Sequence, residues 1–291
     1  MPQSFNEYDP IKVVGVRRAQ EAFVHQVKID GEWKDLRFKS PPGWDEAVYE
    51  HRGLVDVLRH SGAMVQSLPA HPNLTLDSIY TRDATIVTPK GLILCNMGRL
   101  SRTAEPRVNI KSYLEIGFSI LGEIESPGTL EGGDFVWFSK NKAAVGLGPR
   151  TNKEGITQLK ALLGEDVDLH IVPLPEPENP ENVFHLMSII SPLDKDLALV
   201  YKPLINNEFS EYLLKQNIGL IDVDEEEYLN MACNVLTLSP RKILMLDSLP
   251  KTKQKLEDNN CDVITFKGDE ISRKGEGGPT CLTRPLERKV V

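Results

Sequence analysis

Apolar residues fall in short clusters that recur along the chain in one order. Ala84 to Thr88 reads as a strand, Pro89-Lys90-Gly91 is turn chemistry, and Leu92 to Cys95 reads as a second strand. Arg107 to Phe118 has helical spacing, with Val108, Tyr113, Leu114 and Ile116 among its apolar positions, and a short strand follows at Ser119 to Glu123. The same order returns as a hairpin of Phe135 to Phe138 and Ala143 to Leu147. Its helix is marked by Ile156, Leu159, Leu162 and Leu163, and its closing strand is Leu169 to Val172. Thr151, with Glu154 three residues later, predicts a capping box at the start of that helix. A third copy has strands at Leu186 to Ile190 and Leu197 to Tyr201, a helix at Glu208 to Gln216 and a strand at Ile218 to Val223. A fourth has strands at Val235 to Leu238 and Ile243 to Leu246, a helix around Lys251 to Asp258 and a strand at Asp262 to Phe266.

The fifth copy is split between the two ends of the chain. Leu282 to Leu286 supplies one strand, Ile11 to Arg17 its partner, Trp44 to Arg59 the helix and Met64 to Leu68 the last strand. Equivalent starts fall at Asp83, Asp134, His185, Asn234 and Cys281, with spacings of 51, 51, 49 and 47 residues. So constant a period means stacked or circularly arranged units, and a unit closed by joining the termini implies a ring. The competing arrangement is a doubly wound α/β sheet, which also alternates strands and helices. Repeated hairpin, helix and strand favour the ring. An insertion from Arg18 to Trp44 lies inside the split unit and has no clear long helix; it reads as a lid, a binding loop or a passive surface loop.

Composition narrows the class. The 291 residues are 40% apolar and 26% charged, which fits a globular protein, and one or two domains are compatible with the length. The repeat reduces that to one domain over residues 1–291. A net charge of −8 argues against a general nucleic-acid binder and leaves room for a cationic small substrate. No signal peptide or membrane span is visible, so a cytoplasmic location without membrane contact is expected. The cysteines at 95, 233, 261 and 281 and the six histidines form no local zinc pattern, and no metal or cofactor is expected.

In a ring of like units the same end of each unit faces the centre. The residues there are Tyr80-Thr-Arg-Asp83, Glu131-Gly-Gly-Asp134, Asn182-Val-Phe-His185, Cys233-Asn234 and Gly277-Gly-Pro-Thr-Cys281. Carboxylates, a histidine and a thiol would converge, which suits nucleophilic attack on a cationic carbon centre. Cys281 follows loop chemistry whose glycines would let a substrate approach the backbone. Cys95 and Cys261 read as small buried hydrophobes, and Cys233 is ambiguous.

Tyr-Thr-Arg-Asp83, Leu-Glu-Gly-Gly-Asp134, Gly-Pro-Arg-Thr-Asn152, Phe-His-Leu-Met-Ser188 and Gly-Gly-Pro-Thr-Cys-Leu-Thr283 together resemble the guanidine-modifying enzymes. These include the dimethylarginine dimethylaminohydrolases, arginine deiminases and amidinotransferases. The resemblance implies the pentein fold, a five-bladed α/β propeller of pseudo-fivefold symmetry. It also implies Cys281 as nucleophile, His185 as general acid and base, and Glu131 as the carboxylate that holds the guanidinium and orients the histidine. Asp83 and Asp77 match substrate-binding carboxylates. Arg150 and Arg102 match arginines that grip the substrate α-carboxylate, with Arg99 and Arg107 competing for the place of Arg102. Asp134 is expected to be structural, and the family tendency points to a homodimer.

The chemistry implied is thiolate attack on a planar guanidinium, loss of an amine, and hydrolysis of the covalent intermediate. Met187 stands where arginine deiminases generally carry aspartate, and with 82 residues before Asp83 the extra helical domain of typical deiminases is not expected. The reading is therefore closest to dimethylarginine dimethylaminohydrolase, with a site that tolerates N-methyl groups. Arginine deiminase and amidinotransferase are the near alternatives. A non-catalytic binding protein of the same fold, like the ribosome anti-association factor, is the distant one.

Overall fold

The computed structural model describes residues 3–176 and 184–290, a mixed α/β architecture carried by five small sheets. Asn182 and Val183, placed at a repeat start by the sequence, lie outside the described residues. Each sheet joins an antiparallel hairpin to a parallel third strand that returns through a helix. In the first unit Thr85–Thr88 pairs antiparallel with Gly91–Leu94, which pairs parallel with Ile120–Glu123 after the helix Glu105–Glu115. The second unit repeats this with Phe135–Ser139, Lys142–Leu147, the helix Lys153–Leu163 and Asp168–Pro173. The third has Ile190–Asp194, Leu197–Val200, the helix Asn207–Lys215 and Gly219–Asp222. The fourth has Leu236–Ser239, Lys242–Leu246, the helix Pro250–Asp258 and Asp262–Phe266.

The fifth unit joins the chain ends. Arg284–Lys289 runs antiparallel to Ile11–Val16, which pairs parallel with Met64–Ser67 after the helix Trp44–His60. Gln3–Ser4 adds a short strand on the outer side of Arg284–Lys289. The long helix buries Ala47, Leu54, Val55 and Leu58 on one face; Asp45 and Glu46 in its first turn and Arg59 and His60 in its last complement the helix dipole.

The apolar cores lie between units. One joins the first and second through Ile86, Ile93, Phe135, Trp137 and Leu159. Another joins the second and third through Val136, Phe138, Leu186, Val200 and Phe209. The largest spans the third, fourth and fifth, and a smaller one ties the fifth to the first through Val13, Leu68, Leu286, Leu92 and Ile110. No unit can bury its apolar faces alone, so its stability depends on its neighbours.

Three sequence expectations are corrected. Asn152, not Thr151, caps the second helix by accepting from the Gly155 N–H, because the Thr151 hydroxyl is spent on Asp134. Residues 186–188 form a 3-10 turn and the strand runs Ile190–Asp194 rather than Leu186 to Ile190. The last strand starts at Arg284, two residues late, because the segment after Cys281 turns first. The 18–44 insertion holds two short helices, Ala19–Ala22 and Gln26–Glu32. Among the described residues no helix is long and apolar enough to cross a membrane.

Candidate active site

The four unit starts at 83, 134, 185 and 281 and their neighbours meet at one site. His185 Nε2 lies 2.7 Å from Glu131 Oε2, and His185 Nδ1 lies 3.7 Å from Asp83 Oδ1. Asp83 Oδ2 accepts from Arg102 Nη1 at 2.6 Å, but its buried Oδ1 accepts no hydrogen bond. Such an orphaned acceptor is costly unless a ligand supplies the donor.

Glycine at 133 makes this approach possible. A Cβ there would lie 2.6 Å from Asp83 Oδ1 and 2.8 Å from the His185 ring, too close for any side chain. The Glu131-Gly-Gly-Asp134 segment turns through a 3-10 bend into the second sheet, which sets Glu131 and Asp134 on either side of Thr151. The Thr151 hydroxyl accepts from the Glu131 N–H at 3.2 Å and donates to Asp134 Oδ2 at 2.6 Å. Asp134 Oδ1 accepts from the Leu186 N–H at 2.9 Å, so this carboxylate anchors the residue after the histidine. Ser188 Oγ accepts from the His185 N–H at 3.3 Å and fixes the turn.

The electrostatics follow from burial and pairing. Glu131 is fully buried, which would raise its pKa, yet the hydrogen bond and charge of His185, with Arg150 and Arg102, hold it well below the usual carboxylate range. Burial pushes the His185 pKa down, but Asp83, Asp134 and Glu131 outweigh it and raise it to about 9. The imidazole therefore carries a proton at neutral pH. Asp134 is raised to about 6, by burial first, against the opposing pull of His185 and Thr151.

Cys281 is partly exposed, unlike the buried Cys95, Cys233 and Cys261. Burial of its sulfur and the charge of Asp83 push the thiol up to about 11, while Asn234 and the guanidiniums of Arg82 and Arg102 pull it down. Asn234 Nδ2 donates to Cys281 Sγ at 3.0 Å, and its Oδ1 accepts from the Thr280 N–H at 3.1 Å. Asn234 was legible as a unit start but not as a partner of the thiol; its position one repeat before Cys281 was the available signal. The glycines before Cys281 do not open space for a substrate as expected. A Cβ at Gly277 would lie 2.2 Å from the Tyr80 ring and one at Gly278 2.6 Å from Asn234 Oδ1, so these glycines admit protein side chains.

The arginines separate into distinct environments. Arg102 is buried and its donors are engaged: Nε and Nη2 with Glu105, Nη1 with Asp83 and Nη2 with the Tyr80 carbonyl. Four of its five N–H groups are thus engaged within the protein, the remaining one on Nη1. Arg150 Nη1 lies 3.2 Å from Glu131 Oε2, and Arg99 Nη1 lies 3.0 Å from Asp77 Oδ2. Burial raises the Asp77 pKa, against the pull of Arg102, Arg99 and Arg150. Arg107 is exposed and pairs with Glu123, away from the site. Met187 is buried in the core between the second and third units.

Asp83, Glu131 and His185 each offer a donor atom within 4.8 Å of the others, a spacing a metal ion could use. The raised pKa of His185 opposes that role, because a protonated imidazole is not a ligand. A groove of about 510 Å³ lined by Lys12, Met64, Lys90, Phe118 and Glu287 lies away from these residues and includes none of them.

A thiol, a protonated histidine and buried carboxylates on a frame of five sheets define the guanidine-modifying class. Two solved structures share the fold. One is a cysteine-to-serine mutant of the dimethylarginine dimethylaminohydrolase from Pseudomonas aeruginosa complexed with citrulline, with a TM-score of 0.76, 23% identity, and coverage of 96% of this chain and 99% of that one. The other is an amidinotransferase of saxitoxin biosynthesis from Microseira wollei, with a TM-score of 0.79, 16% identity, and coverage of 99% and 98%. The curated N(G),N(G)-dimethylarginine dimethylaminohydrolase of Streptomyces coelicolor is 29% identical over 232 residues, 76% of this chain and 82% of that protein. The family model described as "N,N dimethylarginine dimethylhydrolase, eukaryotic" matches residues 21–288, and the chain belongs to this family of hydrolases acting on C–N bonds of amidines.

Proposed function

We propose that this chain hydrolyses a C–N bond of a guanidino compound, an arginine derivative such as N-methylated arginine, to a ureido product and an amine. The observation that carries this is the buried Asp83 Oδ1 without a hydrogen bond, 3.7 Å from the proton-bearing His185 and close enough to raise the Cys281 thiol. A guanidinium N–H supplies the missing donor, and its charge relieves the thiol.

The steps follow from that polarity. Without substrate Cys281 stays a thiol, since burial and Asp83 disfavour the anion. A bound guanidinium neutralises Asp83 and stabilises the thiolate, which loses its proton to water. The thiolate attacks the central carbon and forms the S–C bond. His185 gives its proton to the leaving amine as the C–N bond breaks, which leaves a cationic amidino-thioester on Cys281. Neutral His185 then takes a proton from water, the hydroxide adds, and the C–S bond breaks as the hydroxyl proton passes to the departing sulfur, which releases the ureido product and restores the thiol. Glu131 orients the imidazole and stabilises its cation throughout. Arg102 supports Asp83 from behind, Arg150 has surface to give a substrate carboxylate, and Asp77 lines the far side of the site.

The same reading takes the whole chain as one catalytic domain and the five units as blades of a closed propeller. The support is the order of the shared cores, which runs from each unit to the next and from the fifth back to the first. Met187, where arginine deiminases generally carry aspartate, supplies no added carboxylate, which favours N-methylated guanidines over the deiminase reaction. The test is mass spectrometry of the protein with methylated and plain arginine. An adduct on Cys281 and release of methylamine are expected. Strong preference for plain arginine would refute the methylated substrate, and full activity in Cys281→Ser would refute the thiol mechanism.

A further inference from the structure

The first strands of three units meet over one buried cluster of arginines. Arg284 and Arg288 stand on Arg284–Lys289, and Arg82 precedes Thr85–Thr88. Arg288 Nη1 donates at 3.0 Å to the carbonyl of Thr237, on Leu236–Ser239. None of the three guanidinium residues is more than 4% exposed. They converge on the N-terminal segment: Arg82 Nη1 lies 3.2 Å and Arg288 Nη2 4.0 Å from the same oxygen, Glu7 Oε2. Arg284 Nη2 donates to the Arg82 carbonyl, which ties the third guanidinium to the first.

Donors exceed acceptors in this cluster. Among the described residues Arg82 Nη2, Arg284 Nε and Arg288 Nη2 are buried and meet no hydrogen-bond acceptor. The buried Tyr113 hydroxyl is also unpartnered, and it packs against Gly15, the strand partner of Arg284. Orphaned donors in such number call for a bound water or ion. Charge separates the two. Burial and the charge of Arg82 hold Arg284 down to about 10, and Arg288 also falls to about 10, so both are cations at neutral pH. Burial raises Tyr113 to about 12 and pushes Cys95 up, so neither supplies a negative charge. Glu7 and Asp9 are the carboxylates on this side, and Asp9 Oδ2 already accepts from Ser4 and Asn6. Asp83 and Glu131 face the other way, toward Arg102 and His185. Three cations against two carboxylates leave a surplus of one. Water would bond the donors and leave that buried charge uncompensated, which is costly.

We propose that Arg82, Arg284 and Arg288 bind one small monovalent inorganic anion of the chloride type, as a fixed part of the frame behind Cys281. A single negative charge balances the cluster, and the free N–H groups of the guanidiniums supply its bonds. Arg82 links the anion to the nucleophile's segment, because its Nε donates to the Thr280 carbonyl and its backbone N–H to the Cys281 carbonyl, each at 3.2 Å. The anion serves folding rather than bond cleavage, since it binds the assembled interior and not the unfolded chain. The proposal is independent of the reaction read at Cys281, for it needs no guanidino substrate.

The test is thermal melting of the full chain over several decades of sodium chloride, with sodium gluconate keeping the ionic strength constant so that general screening does not change. The melting temperature is expected to rise by about 2–4 °C for each tenfold rise in chloride above the Kd, the slope of one bound anion. A melting temperature independent of chloride would overturn the proposal. Crystals soaked in sodium bromide should show an anomalous peak among Arg82, Arg284 and Arg288. Water alone at that place, or bromide solely on surface residues as an adventitious ion only, would overturn it. Arg284→Gln removes the surplus charge and should abolish most of the chloride slope; an undiminished slope in the folded variant would count against the site. Glu7→Gln adds to the surplus and should keep or steepen the slope, and it serves if Arg284→Gln does not fold. Loss of the slope in Glu7→Gln would also overturn the proposal.

Discussion

Two buried charge clusters lie back to back across Arg82 and Asp83, and they are imbalanced in opposite senses. On one side Glu7 is the carboxylate for three guanidiniums: Arg82 Nη1 lies 3.2 Å away, Arg288 Nη2 4.0 Å away, and Arg284 acts on it through its charge. Burial would raise the Glu7 pKa, but these arginines lower it, while burial and mutual repulsion drop Arg284 and Arg288 to about 10. Donors are in surplus there, as Arg82 Nη2, Arg284 Nε and Arg288 Nη2 have no hydrogen-bond partner. On the other side acceptors are in surplus, with Asp83 Oδ1 unbonded beside His185. The donor-rich cluster is framework: Arg82 Nε donates to the Thr280 carbonyl at 3.2 Å, and the Arg82 N–H donates to the Cys281 carbonyl at 3.2 Å. It holds the nucleophile's backbone in place. The acceptor-rich cluster is where a cation can bind. Similar residue types serve stability or chemistry according to which partner is missing.

Glu7→Gln should separate the two most widely. It leaves buried guanidiniums without their counter-charge, so unfolding free energy should drop by about 3–5 kcal/mol in urea titration. Turnover per folded molecule should hold; a fall in turnover without a fall in stability would erase the distinction. Asp83→Asn should do the reverse. Loss of one preorganised charge at the reacting centre predicts a drop of about 100- to 1,000-fold in kcat/KM, with the fold retained in circular dichroism. Gly133→Ala probes the contact between Asp83 and His185. Its Cβ forces the two apart, so a stability loss of about 1–3 kcal/mol is expected together with loss of activity, and a fully active variant would contradict the geometry.

The smallest effect is in pH. The folded pKa of His185, about 9, lies above its unfolded value of roughly 6.5. Its contribution to stability is therefore complete below the unfolded value and is lost as pH rises through about 9. Thermal melts should fall over that window in the parent protein and fall less in His185→Asn. An identical slope in both would place the titration elsewhere.

The repeat made much of this legible in advance. Hydrophobic spacing located the helices of the five units and most strands to within about three residues, because each unit must present its apolar face at a fixed interval. The starts at Asp83, Asp134, His185 and Cys281 were legible for the same reason. Thr151 was misread because its hydroxyl has two uses, and only the distance to Asp134 settles which one it serves. Arg102 and Arg99, three residues apart, could not be ranked by sequence, since what separates them is the burial of Glu105 and the Leu36 carbonyl, which accepts from Arg99 Nη2.

The chain by itself determined the five-unit order, the split fifth unit and the residue types brought to the site, because periodicity and covalent connection are properties of the sequence. Tertiary structure decided which carboxylate oxygens are left without a donor, Asp83 Oδ1 and Asp77 Oδ2 at the site, and which way the thiol and imidazole titrate. Those outcomes depend on burial and on partners 19 to 54 residues away, such as Arg102 with Asp83 and His185 with Glu131. Free energies of this kind belong to the assembled interior, where desolvation and charge compete over a few ångströms.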